Sequence, residues 1–389
     1  MTDLQTLDKT YIANTYARFP VEVVSGHGSI LTDRDGKDYI DMGSGIGVTA
    51  FGIGDAAWTE AVTAQLGLVQ HTSNLYYTEP CVALAKLLCE KTGMKKVFFG
   101  NSGAEANECA IKAARKYAAE HKGPEYSTIL TLWNSFHGRT LTTLAATGQE
   151  HYHELYQPLT PGFVHAEGND LADVAAKLRE HKCAGVLLEC IQGEGGVRVM
   201  DKAFVQGVAK LCAEQDVLLM IDEVQTGNGR TGALYSYMNY GVTPDIVSTA
   251  KGLGGGLPLG AALLGEKVAD VFTPGDHGST FGGNPVCCAG AVSVLRRIDD
   301  ALLAQVREKS DYIFKELTGA EGVESVSGMG LMVGIKPAKH TAAEVVQKCM
   351  AQGVLCLTAK DRVRLLPALN IPMDLVQKAV AVIKAACAE

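Results

Sequence analysis

The chain predicts an α/β fold: a large, mostly parallel sheet between helices, followed by a smaller α+β part. Three observations carry this expectation. Short apolar runs of β type recur at residues 97–99, 185–188, 217–221 and 246–247. Alanine-rich helical stretches stand among them, at 105–120, 171–181 and 202–215. Polar or glycine-rich clusters follow the apolar runs directly. Short buried strands alternating with helices build a parallel sheet covered on its faces. In such sheets ligands gather beyond the C-terminal strand ends, where these clusters fall.

Taken in order, residues 28–42 predict a small β-meander. Two β-type stretches, 29–32 and 38–41, flank the turn Asp33-Arg34-Asp35-Gly36. The alternating strands and helices then occupy the middle of the chain. After about residue 285 the pattern changes to one long helix over 285–318. β-type pieces at 331–335, 354–357 and 363–366 follow, then a last helix from about Asp374. The expected division is an N-terminal segment, 1–45, joining the small domain; a large domain, 46–285; and a C-terminal small domain, 286–389. No internal repeat or low-complexity linker interrupts it.

Composition bounds the function. The 389 residues are 47% hydrophobic and 20% charged, ordinary values for a soluble globular chain. A net charge of -8 argues against nucleic acid as partner, since that affinity rests on Lys and Arg neutralising phosphates. Residues 1–10 are polar, with neither the apolar core of a secretory signal nor the Arg-rich character of a transit peptide. No run of about 18 apolar residues occurs, so no membrane span and a cytoplasmic location are expected. Eleven cysteines are scattered without zinc-ligand spacing, so reduced thiols and no metal site are expected.

Lys251 lies in Ser248-Thr249-Ala250-Lys251-Gly252, after an apolar run and before more glycines. Held in a pocket at a strand end, a lysine loses basicity and becomes nucleophilic toward carbonyls. A solvated lysine beside a flexible loop reads from the same segment. Asp222 ends the run 217–221, and a carboxylate there needs a partner. A protonated pyridine nitrogen is one such partner; a helix cap or a salt bridge is another. Asn101-Ser102-Gly103-Ala104 opens a helix, which suits a phosphate, or plain capping by Ser102. Phe136 offers a flat face and Arg139 a two-pronged carboxylate contact, with His137 between them a structural candidate. His277-Gly278-Ser279-Thr280 adds hydroxyls and tight backbone for a phosphate.

Together these motifs resemble one family, the class III, fold type I, pyridoxal-phosphate aminotransferases. Within it the chain is most similar to acetylornithine aminotransferases. The matching stretches, 99–107, 135–149, 189–197, 222–232, 244–260, 277–289, 328–335 and 364–369, run in family order over most of the chain. The resemblance implies a large cofactor-binding domain, a homodimer, and pyridoxal 5'-phosphate bound covalently through Lys251. It implies that Asp222 pairs with the pyridine nitrogen and Gln225 bonds the ring hydroxyl. Phe136 and Val224 would flank the ring, and Ser102, Gly103 and Ala104 would hold the phosphate, joined by Thr280 of the neighbouring subunit. Arg139 would take the α-carboxylate. Glu194 would pair with Arg364 and release it to glutamate's second carboxylate; a permanent structural pair is the alternative. Ser279, Tyr16 and Asn74 are further substrate-contact candidates.

The reaction so implied takes the terminal amino group of N2-acetyl-L-ornithine to 2-oxoglutarate, as in arginine synthesis. It yields L-glutamate and the 5-semialdehyde. Ornithine, succinylornithine, succinyl-diaminopimelate or 4-aminobutyrate are alternative donors, and an aminomutase is an alternative reaction. A nucleotide-triphosphate loop is disfavoured, because Gly252-Leu253-Gly254-Gly255-Gly256 lacks a following Lys-Ser/Thr. The small stretch Ser44-Gly45-Ile46-Gly47 suits an acylated donor. The chain departs from the family pattern at Gly52-Ile53-Gly54-Asp55-Ala56, where many relatives have Gly-His-x-His-Pro. It also has Cys190 for proline, Asn228 for Phe or Met, and Ala104 for a common threonine.

Overall fold

The computed structural model describes residues 3–389. Met1 and Thr2, the first two positions of the expected N-terminal segment, lie outside the described residues. A seven-stranded sheet forms the centre. Its order is Lys96–Gly100, Gly260–Leu264, Ile246–Thr249, Leu218–Asp222, Cys183–Leu188, Thr128–Leu132, Phe163–Ala166. Gly260–Leu264 runs antiparallel to both neighbours, and the remaining pairs are parallel. Every residue of the strands Cys183–Leu188, Leu218–Asp222 and Ile246–Thr249 is buried. That is why 185–188, 217–221 and 246–247 read as apolar runs without polar alternation. Full burial of a Leu or Ile side chain contributes about 1.5–3 kcal/mol.

Helix Gly103–His121 lies on this sheet through a face of Ala106, Ala110, Ile111, Ala113, Ala114 and Ala118. Small side chains let the helix approach closely. Its first turn therefore sits above the ends of the central strands.

The C-terminal part differs from expectation in two places. The long helix is two, Pro285–Arg297 and Asp300–Leu317. Asp299 breaks it: its backbone is extended, and its side chain accepts the Leu302 N–H at 2.9 Å, starting a new helix. The piece at 354–357 is also two strands in two sheets. Val354–Leu355 pairs in parallel with Asp38–Asp41, while Leu357–Ala359 joins Arg362–Leu365. The meander gains an edge strand, Val23–His27, beside Ile30–Asp33. Residues of the first fifty thus share a sheet with residues past 350.

Among the described residues no helix is long and apolar enough to cross a membrane, and no cluster of His, Cys, Asp or Glu could hold a metal ion. All eleven cysteines are free, and all but Cys81 and Cys89 are buried.

Candidate active site

The strand ends and the first turn of helix Gly103–His121 enclose a cavity of about 460 Å3. Lys251, Asp222, Ser102, Gly103, Ala104, Phe136, Val224, Gln225, Arg139 and Glu194 all line it, from five separate stretches of chain. Arg364 reaches its edge through Glu194 and Gln225.

Asp222 is the last residue of its strand and is 3% exposed. Its Oδ2 accepts from His137 Nδ1 and from Asn107 Nδ2, each at 2.8 Å. Its Oδ1 accepts the Val224 N–H at 2.9 Å. A carboxylate has about four acceptor sites, so room remains for one more donor from the cavity.

Lys251 opens a single 3-10 turn, Lys251–Leu253, with φ of +45°. Among the described residues its Nζ has no hydrogen-bond partner. Burial pushes the amine's pKa down, against the opposing pull of Glu194 and Asp222. A neutral amine is the nucleophilic form.

Ser102 caps helix Gly103–His121. Its Oγ accepts the Glu105 N–H at 3.2 Å and donates to Glu105 Oε2 at 3.0 Å. The N–H groups of Gly103 and Ala104 are then left without partners among the described residues, beside the positive helix end. Gly103 is required there: a Cβ would lie 2.6 Å from Val224 Cγ1.

Arg139 is exposed, its guanidinium 4.4 Å from the Tyr152 ring centroid and 5.6 Å from that of Phe136. No carboxylate among the described residues pairs with it. Arg364 is its opposite, with a side chain 3% exposed and bonded to Glu194 Oε1 at 2.6 Å. Gln225 joins both, donating to Glu194 Oε1 at 3.2 Å and accepting from Arg364 at 3.0 Å. Burial raises the Glu194 pKa, but the Arg364 charge and hydrogen bond outweigh it and hold the carboxyl below its ordinary value. Glu189, also in the wall, goes the other way. Burial and the Asp222 charge push it well up, against the N–H groups of Phe136 and Gly193.

The remaining candidates lie outside this cavity within the chain. Ser279 is next to it, its Oγ accepting from the lining residue Asn101 at 3.1 Å. Asn74 donates to the carbonyls of Ser279 and Gly282, and with the exposed Thr280 it lines a separate hollow of about 150 Å3. Tyr16 stands apart, 70% exposed, with Arg18 over its ring. Of the Ser44–Gly47 stretch none lines the cavity, although Val48 does.

Sequence reasoning missed Asn107, Glu189 and the Asp222 contact of His137. Asn107 had a signal, an amide on the buried face of an alanine-rich helix. Glu189 had the same signal as Asp222, a carboxylate at the end of a buried strand.

An unpartnered amine of lowered basicity, a carboxylate with spare acceptor capacity and two free N–H groups now stand around one cavity. That donor set suits a flat cationic ring bearing a carbonyl and a phosphate, and pyridoxal phosphate has all three. Comparison with known proteins agrees. The family model for class III aminotransferases matches residues 11–387. An acetylornithine aminotransferase of Haemophilus ducreyi is 50% identical over 381 residues, 98% of this chain and 97% of that one. A succinylornithine transaminase of Salmonella paratyphi A is 45% identical, covering 93% of this chain and 90% of that one. Among solved structures, the ornithine aminotransferase of Toxoplasma gondii superposes with a TM-score of 0.94 at 30% identity, covering 99% of this chain and 94% of that one. That structure has partial occupancy of pyridoxal phosphate at its active site.

Proposed function

The chain belongs to the class III aminotransferases, and from that premise we propose that it moves the terminal amino group of N2-acetyl-L-ornithine to 2-oxoglutarate. Pyridoxal phosphate is the cofactor. The products are N-acetyl-L-glutamate 5-semialdehyde and L-glutamate. The observation that carries the chemistry is the unpartnered Lys251 amine sharing one cavity with Asp222. The donor rests on the 50% identity to an acetylornithine aminotransferase.

Lys251 would hold the cofactor covalently, Asp222 its ring nitrogen and Gln225 its hydroxyl. Phe136 and Val224 would flank the ring. Ser102 and the free N–H groups of Gly103 and Ala104 would hold the phosphate. When bound, the cofactor supplies a carbonyl that captures amines and a cationic ring that accepts an electron pair.

The chain's own residues do the rest. Once the incoming amine has displaced it, the freed Lys251 Nζ would take a proton from the donor's terminal carbon, hold it as the ammonium and give it back in the 1,3-shift. His137 and Asn107 fix the orientation of Asp222 from behind. Arg139, exposed and unpaired, binds the α-carboxylate by its two-pronged face. Glu194 leaves Arg364 when glutamate or 2-oxoglutarate brings a second carboxylate, and re-pairs with it when the acylated donor enters. Closed, the pair neutralises two charges that would be costly to bury alone.

The working unit in this reading is a homodimer, with Thr280 completing the phosphate site of the neighbouring subunit. Its exposure, and its place outside its own chain's cavity, support that role. A second donor, succinylornithine, is favoured by the relative at 45% identity. A donor panel with 2-oxoglutarate, read as glutamate formed, decides. Acetylornithine is expected to give the highest kcat/KM. A preference for 4-aminobutyrate or free ornithine would overturn the assignment, and turnover without 2-oxoglutarate would point to a mutase.

A further inference from the structure

Lys251 has a left-handed backbone, φ +45°, that side-chain-bearing residues rarely adopt. Such a conformation persists only when its surroundings over-determine it. Two bonds inside the turn contribute: Leu253 N–H to Ala250 O at 3.0 Å and Gly254 N–H to Lys251 O at 3.1 Å. Three more come from two side chains outside it. Asn228 Nδ2 donates to Ala250 O at 3.1 Å and to Thr249 Oγ1 at 3.0 Å. Trp58 Nε1 donates to Gly254 O at 3.1 Å. One grips the carbonyl just before the turn, the other the carbonyl just after it.

Both grips are built in. Asn228 is 3% exposed and has φ +57°. A backbone carbonyl only accepts, so the amide nitrogen must face Ala250. The Trp58 indole sits in a slot between two glycines: a Cβ at Gly255 or at Gly290 would lie 2.8 Å from Nε1. Past the turn, Gly256, Leu257, Pro258 and Leu259 line the cavity.

We propose that Asn228 and Trp58 are positioning residues that clamp the Lys251 turn at its two ends and so aim the lysine amine into the cavity. This rests on Lys251 being the amine that holds the cofactor. Loosening either grip lets the turn relax and the amine retreat toward water. The titratable groups facing that amine are Glu194, Asp222, Arg364 and Glu189, and neither substitution removes any of them.

The test uses Asn228→Gly, which keeps a positive φ without strain while removing the donor, and Trp58→Phe, which keeps a ring without its N–H. In the cofactor-free full chain, Lys251 is labelled by formaldehyde and cyanoborohydride over a pH series and read by peptide mass spectrometry. Its half-labelling pH is expected to rise toward that of an ordinary lysine, by about half a unit or more, in each variant. In the loaded enzyme kcat should fall about tenfold, as for a small misplacement of a reacting group, with both KM values little changed. Unaltered labelling profiles and kcat in both variants would overturn the proposal. So would a lower melting temperature with the labelling profile of the folded protein unmoved, which marks a merely structural role. Failure of the parent reading looks different: Lys251→Ala would still bind the cofactor covalently, whatever these variants do.

Discussion

Single side chains decide most of the chemistry. Arg364 depends on one carboxylate, because Glu194 is its only ion-pair partner among the described residues. The linkage follows from the Glu194 shift. Its folded pKa lies below the ordinary value, so the pair stabilises the fold at neutral pH and the gain fades as pH falls through the folded pKa. Unfolding of wild type and Glu194→Gln by urea should therefore differ at pH 7, and the difference should start to shrink near the ordinary carboxyl pKa of about 4.3 and vanish only below the lower folded value. Arg364→Ala should raise KM for 2-oxoglutarate by roughly 10–100-fold, the range of one charged hydrogen-bonded contact, with the acetylornithine KM little changed. Steady-state kinetics with each substrate varied in turn would check it. Asn107→Ala removes a charged hydrogen bond to Asp222, and should lower folding stability by about 1.5–3 kcal/mol in urea unfolding.

Legibility in the sequence also varies residue by residue. Lys251 and Asp222 could be marked because each ends an apolar run, and the sheet places both runs side by side, Asp222 opposite Ser248. His137 and Asn107 could not be assigned to Asp222, because those bonds close across 85 and 115 residues. No local pattern encodes such a distance. Tyr16 and Asn74 sit on irregular segments whose course depends on what packs over them.

Among the elements, Cys183–Leu188, Leu218–Asp222 and Ile246–Thr249 were legible because their apolar runs are wholly buried, and Lys96–Gly100 was read from its apolar middle, whereas Thr128–Leu132, Phe163–Ala166 and Gly260–Leu264 were not singled out. The helix break at Asp299 was not, because two acidic residues in a row inside a helical period look like a solvated face. The extended backbone of Asp299 and its capping bond to Leu302 show otherwise. The departure at Gly54-Asp55-Ala56 gains a purpose at this scale. Asp55 caps helix Ala56–Leu66 by accepting the Trp58 N–H, and it holds Arg297 by two bonds of 2.9 and 2.7 Å. It thereby fastens helix Pro285–Arg297 to the helix that carries Trp58. Asp55→Ala should cost about 1–3 kcal/mol, from a lost cap and a partly buried ion pair, read by thermal unfolding.

For the molecule as a whole, one shared sheet joins the two ends of the chain. Val354–Leu355 pairs with Asp38–Asp41, which ties the N-terminal segment to the C-terminal part. The proposed dimer makes a sharper prediction. Lys251→Ala and Thr280→Ala chains, each impaired alone, should regain activity when refolded together. A mixed dimer then has one site with Lys251 from one chain and Thr280 from the other. No recovery would mean that Thr280 serves its own chain or none.

The most direct measurement is to reduce the loaded enzyme with borohydride, digest it and find the peptide that carries the cofactor's mass. The expected result is a single modified residue, Lys251, with the label absent from Lys251→Ala. A label on another lysine, or an enzyme that turns over at the wild-type rate without this amine, would contradict the reading of the whole site.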